Sequence, residues 1–183
     1  MSLQNGSVTE VCYVTGDMDA AARYWANIAG AGPFYLMPMP EMAFEADGRH
    51  FGGRIKAALG FSGTTLVEFI EPLPDTPAIF GEVLEHHGEG ATHHIMTNIK
   101  PISPADFDAI CADYEKTGLE KVLAFEVPGQ GRNAFFDARR EMGVFLEVLE
   151  CPDTVFGMLD AMYDAHRQGA GDKPLRDVSE LFG

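Results

Sequence analysis

The sequence predicts an α+β fold made by duplication: two tandem β-α-β-β-β modules facing one shared cleft, followed by a C-terminal helix. Three observations carry this. Leu66-Val67-Glu68-Phe69-Ile70-Glu71, followed by Pro74-Asp75-Thr76, returns as Phe145-Leu146-Glu147-Val148-Leu149-Glu150, followed by Pro152-Asp153-Thr154. Glu10-Val11-Cys12-Tyr13-Val14 precedes a helix signal at Asp17, and His94-Ile95-Met96-Thr97-Asn98 precedes one at Ser103. Both echoes share a spacing of about 80 residues, the mark of an internal repeat that governs the architecture. The expected units are 8–87, 88–151, and a helix and tail over 152–183.

Residues 10–15 have the Val, Cys and Tyr content of a strand, ended by Gly16. Asp17 suits the N-cap of a helix over 18–28, with Ala21, Ala22, Tyr24, Trp25 and Ile28 as its apolar stripe. Gly30, Gly32 and Pro33 stop it, and residues 34–37 make a second strand. Residues 38–50 show no clean period and include Pro38, Pro40 and Gly48. With Met37, Met39, Met42 and Phe44 they read as an apolar loop over a pocket. Residues 54–61 and 64–70 form a hairpin around Ser62-Gly63. Asp75 is placed to cap a short helix over 78–86, and His87-Gly88-Glu89-Gly90 links the modules.

The second module repeats this order. A strand over 93–99 is followed by a helix from Ser103-Pro104 to about Thr117, closed by Gly118. Strands over 121–127, 133–137 and 143–149 follow, with Gly129, Gly131 and Gly143 at the turns. Asp153 is placed to cap a last helix to about Arg167. Its stripe of Val155, Phe156, Leu159, Met162, Tyr163 and His166 suits cover for the module's outer sheet face, or a subunit contact.

The totals exclude several function classes. A hydrophobic fraction of 46% over 183 residues supports an ordinary core. A net charge of -15 argues against nucleic acid and anionic lipid surfaces as partners. No apolar run approaches the length of about 20 residues that spans a bilayer. Residues 1–6 carry neither a basic nor an apolar signal region, and Cys12, Cys111 and Cys151 follow no metal-binding spacing. The expectation is a cytoplasmic protein with reduced thiols.

Strand alternation then singles out four residues. Glu10 shares a face with Cys12 and Val14, and Glu68 with Leu66 and Ile70. His94 goes with Met96 and Asn98, and Glu147 with Phe145 and Leu149. A carboxylate among apolar face-mates is costly unless paired or bound to a cation. Each residue alone also fits a solvated strand glutamate or a satisfied core histidine; the duplicated placement joins them. Three carboxylates and one imidazole suit Zn²⁺, Ni²⁺, Co²⁺, Mn²⁺ or Fe²⁺. Parity sends Glu68 and Glu71 to opposite faces, with Glu71 outward. The same rule puts His94 in the cleft, and His93 against the helix layer or an adjoining chain.

The chain resembles the vicinal oxygen chelate superfamily, the glyoxalase, bleomycin-resistance and extradiol-dioxygenase group. The matching segments are residues 11–21, 66–72, 88–95 and 143–150, which include Val14-Thr15-Gly16-Asp17, Val67-Glu68-Phe69, Thr92-His93-His94-Ile95 and Leu146-Glu147-Val148. The resemblance implies a glyoxalase/bleomycin-resistance-like fold around a cupped metal site. It also implies a homodimer, and ligands from the first and last strands of each module: Glu10, Glu68, His94 and Glu147. The first position is usually His or Gln in such proteins. Glu10 departs from that, and would act either as a fourth ligand or as a base or ion-pair partner.

Three activities fit the resemblance. The leading one is a metal-dependent isomerase, epimerase or lyase. It would move a proton next to a chelated oxygen pair on a small substrate, with Glu68 or Glu147 as general base. Met37, Met39, Met42, Phe44 and Phe51 would line one wall, and Arg54, Lys56 and Arg132 are the cations available for an anionic group. The second is a non-catalytic module that sequesters a small molecule. The third is an Fe(II) extradiol-type dioxygenase, but the chain supplies only His94 and Glu147 of the two-His, one-Glu set such a site resembles.

Overall fold

The computed structural model describes residues 8–97 and 99–182. The readings of residues 1–6 and of Asn98 lie outside the described residues. In chain order the elements are β1 (Glu10–Val14), α1 (Met18–Ala29), β2 (Phe34–Leu36), β3 (Met42–Ala46), β4 (Arg49–Gly53), β5 (Lys56–Ser62), β6 (Thr65–Glu71) and α2 (Ala78–His87). The second half has β7 (Ala91–Met96), α3 (Pro104–Lys116), β8 (Glu120–Val127), β9 (Gly131–Ala138), α4 (Arg139–Met142) and β10 (Val144–Leu149). Then come α5 (Asp153–Gln168), β11 (Leu175–Asp177) and a 3₁₀ turn, Val178–Leu181.

The expected duplication is present. β1-α1-β2-β5-β6 and β7-α3-β8-β9-β10 are the two β-α-β-β-β units, and they meet where β1 pairs antiparallel with β7. The strand order is β11-β2-β5-β6-β1-β7-β10-β9-β8-β3-β4. That order forces the sheet to curl. β4 and β5 lie eight strand steps apart, a flat distance of about 38 Å at ordinary strand spacing. Yet only residues 54 and 55 join them, a reach of about 11 Å. The inner face of the curled sheet therefore encloses a confined space.

One expectation is overturned here. Residues 38–50 are not a loop throughout: β3 and β4 form a hairpin that pairs β3 with β8 of the other module. Asp47 and Gly48 both have positive φ, the geometry of a two-residue hairpin turn. Met42 and Phe44 are buried in the core beneath the hairpin, and Phe44 stacks on Phe51. Met37 and Met39, between β2 and β3, keep the expected place at a cavity wall.

The outer face is sealed by helices. Val67 and Phe69 of β6 point to α1, where they pack with Met18, Ala22 and Phe34. Burying side chains of this size contributes roughly 1.5–3 kcal/mol each. Asp17 caps α1 as expected, accepting from the Ala20 amide. Glu71 faces this side, accepting from Lys56 Nζ at 2.7 Å and from the Met18 amide at 3.0 Å. Ser103 caps α3 as expected, whereas Asp75 and Asp153 cap nothing: α2 and α5 start after Pro77 and Pro152, with no side-chain cap. Asp75 instead binds Arg54 at 2.7 Å.

α5 departs from the sequence reading in a way that shapes the site. It lies on the inner face of the first module rather than the outer face of its own. Val155, Met158 and Leu159 border the same cavity as Glu68, and Tyr163 meets Phe61 edge-on at 5.2 Å. His166 Nδ1 is 2.8 Å from the Gly32 carbonyl, and its Nε2 accepts from the Gly63 amide at 3.2 Å. Among the described residues, no helix is long and apolar enough to cross a membrane.

Candidate metal centre

β6, β1, β7 and β10 are consecutive in the sheet and hold one candidate residue each. Register aligns them. Cys12 of β1 sits opposite Glu68 on one side and His94 on the other, and His94 sits opposite Phe145. Glu10 and Glu147 lie two residues along from Cys12 and Phe145, so alternation returns them to the same face.

The four side chains the sequence singled out come together. Ligand atoms of Glu10, Glu68, His94 and Glu147 all lie within 4.8 Å of one another. His94 Nε2 is 3.1 Å from a Glu68 oxygen and 3.0 Å from a Glu147 oxygen. His94 is fully buried, and Glu10, Glu68 and Glu147 border the cavity, Glu10 with only 3% of its surface exposed.

The donor set fits a divalent cation. Three carboxylates converge, and among the described residues the basic side chain paired with Glu68 and Glu147 is that of His94. His94 Nε2 is buried, is aimed at two carboxylate oxygens and has no hydrogen-bond partner. Bonds of about 2.1 Å at right angles would set their donors about 3 Å apart, the separation found between His94 and the two glutamates. Without an ion, burial and the carboxylates of Glu147 and Glu68 hold the Glu10 carboxyl well above its usual range. Burial pushes His94 down, but nearby Cys12 and Glu147 outweigh it and the net direction is up.

His93 contradicts the alternation argument. The pairing of β1 with β7 shifts register at this point: Cys12 faces His94 and Tyr13 faces Thr92, so His93 is the extra residue of a bulge. It does not face the outer helix layer. It is fully buried in the core under α2, stacked on Phe80 at 4.4 Å and against Phe145 at 4.9 Å. Its Nδ1 is 2.8 Å from His94 Nδ1. A His94 that gave Nε2 to a cation would carry its proton on Nδ1 and donate it to His93. Burial and the neighbouring His94 hold His93 well below the usual imidazole range, as an acceptor requires.

Cys12 is the inner-face residue that motif spacing missed. Its sulfur groups with Glu68 and His94 as a second possible donor set. Burial holds the thiol well above its usual range. Its parity with Glu10 was the signal that placed it there. The wall residues also need revision. Phe51 is exposed and lies outside the cavity. Arg54, Lys56 and Arg132 do not line it either; they pair with Asp75, Glu71, and Glu150 with Asp108.

With the geometry established, likeness to solved structures identifies the architecture. Methylmalonyl-CoA epimerase from Mycobacterium tuberculosis matches with a TM-score of 0.55 at 20% identity, over 81% of this chain and 90% of that one. A hypothetical protein from Bacillus halodurans matches with a TM-score of 0.51 at 17% identity, over 77% and 91%. The chain has the vicinal oxygen chelate fold. No protein-family model matches the sequence, and neither does any curated protein. Glu10, Glu68, His94 and Glu147 are residues of β1, β6, β7 and β10, the first and last strands of the two units.

Proposed function

We propose that the protein is a metal-dependent isomerase or epimerase that moves a proton beside an adjacent oxygen pair on a small substrate. The observation that carries this is the convergence of Glu10, Glu68, His94 and Glu147 on one point. A divalent ion held by these residues supplies positive charge to the two substrate oxygens. The chain's own groups do the rest. Glu10, Glu68 and Glu147 all border the cavity, and Glu68 and Glu147 are the two more exposed, so one of them takes the proton from the carbon beside the carbonyl. The C–H electron pair moves into the carbon framework and the carbonyl pair moves to oxygen. Return of the proton to the opposite face gives the epimer; return to the neighbouring carbon, with the hydroxyl proton passing to the former carbonyl oxygen, gives the isomer. Either route restores the carboxylate, and nothing is oxidised. The dioxygenase reading is disfavoured because the cluster holds a single histidine; His93 is spent on His94.

The reading includes a homodimer, supported by the exposed Tyr24 and Ile28 on α1 and tested by light scattering. It also includes a reducing, cytoplasmic setting, supported by three unpaired buried thiols. Incubation of each metal form in D₂O with a panel of hydroxyketones, hemithioacetals and acyl thioesters tests the chemistry. Deuterium at the carbon beside the carbonyl is expected. Tight binding with no exchange in any metal form points to the sequestering module, and oxygen uptake with a catechol points to the dioxygenase.

A further inference from the structure

We infer that the cavity selects an uncharged, mainly apolar molecule with two adjacent neutral oxygens, an α-hydroxyketone or α-diketone, and rejects carboxylates and CoA or nucleotide conjugates. This rests on the proposed metal reading and narrows its substrate.

Three observations lead to it. The first is the charge of the floor. Three carboxylates, a neutral imidazole and a divalent ion leave the site one negative charge in surplus. An anionic ligand would add a second charge in an apolar, poorly screened space.

The second is the wall. Apart from the glutamates, the polar side chains among the described lining residues are Gln130 and Asn133, which are neutral; the remaining described lining is Met, Leu, Val and Ala. No lysine or arginine is among its described lining residues. The nearby cations are committed elsewhere: Arg54 to Asp75 at 2.7 Å, Lys56 to Glu71 at 2.7 Å, and Arg132 to Asp108 at 2.8 Å and to Glu150. A phosphate or carboxylate tail would find no free partner at the cavity wall.

The third is the roof. α5 brings Val155, Met158 and Leu159 across the cavity from within the same chain, opposite Met37 and Met39. His166 anchors the far end of the helix to both Gly32 and Gly63. The cavity is small, about 80 Å³, which suits a compact molecule and not a nucleotide conjugate. Thioether and aliphatic walls adapt to an alkyl chain and offer nothing to a nucleotide.

The test is isothermal titration of the full Co²⁺-loaded chain with butyroin, α-ketooctanoate and an acyl-CoA. Butyroin and α-ketooctanoate have the same carbon count and differ in charge. Butyroin is expected to bind at least tenfold more tightly than either anion. Gln130→Lys places a cation at a partly exposed wall position, with little packing cost, and is expected to narrow or reverse the preference. Equal or tighter binding of α-ketooctanoate or acyl-CoA by the wild type overturns the inference, as does no measurable binding of butyroin. The metal reading is scored separately by cobalt uptake. If cobalt does not bind, that reading fails; the selectivity is then decided on the metal-free chain, where a preference for butyroin supports it and a preference for the anion sinks it.

Discussion

α2 follows the first Pro-Asp-Thr turn and α5 follows the second; α2 packs on β7 and β1, where the halves meet, and α5 on β5 of the first half. There the likeness ends. α2 delivers Phe80 and Val83 into a ring of aromatic side chains, Phe135 and Phe145 among them, and stacks on His93. α5 delivers Val155, Met158 and Leu159 to the border of a cavity. Duplication supplied two equivalent helices, and side-chain choice divided their roles. Flat rings fill space and fix a histidine behind the donor cluster. Flexible thioethers and branched aliphatics leave room in front of it. A supporting wall and a ligand wall are thus distinguishable by packing alone.

The largest expected effect lies on the cluster that both walls serve. His94→Ala should abolish metal uptake, read by elemental analysis after dialysis against Co²⁺ or Zn²⁺, because it removes the only nitrogen donor. Uptake equal to wild type would show that the ion, if any, sits elsewhere.

Next comes the supporting wall. Phe80→Ala should cost about 3–5 kcal/mol in chemical denaturation, since Phe80 is fully buried. Met158→Ala, on the partly exposed ligand wall, should cost well under half of that. Similar costs would erase the distinction between the two helices. His93→Ala should weaken metal binding about 10- to 100-fold by releasing the His94 ring from its tautomer. Unchanged affinity would return His93 to a purely packing role.

The smallest effect is in pH. Glu10 is raised in the metal-free fold, so that state binds more protons than the unfolded chain between the two pKa values. Metal-free stability should then fall as pH rises from the ordinary carboxylate range through the raised value. Glu10→Gln should flatten that fall, and bound metal should reverse it, because binding needs the carboxylate. Thermal melts across pH read all three; a metal-free melt that rises through this window would contradict the placement of Glu10.

The sequence displayed the duplication because the repeated Glu-containing strands kept their hydrophobic pattern, and parity put the four donors on one face. What it hid follows from how each signal works. Asp47-Gly48 is a strong hairpin turn, but Pro38, Pro40 and a run of methionines made the stretch read as a loop. The bulge at His93 defeats alternation, since an extra residue breaks the count on which parity depends. The stripe on α5 says that one side is buried but not which sheet face receives it. Cys12 was set aside on spacing rules suited to cysteine-rich zinc sites, although it shared a face with Glu10.

The central claim is that one divalent ion is held by three carboxylates and one imidazole at the junction of the two modules. X-ray absorption at the cobalt edge of the loaded protein tests it directly. The account predicts a first shell of oxygen and nitrogen with the outer-shell signature of a single imidazole, lost in His94→Ala. A sulfur scatterer from Cys12, two imidazoles, or a spectrum unchanged by that substitution would contradict it.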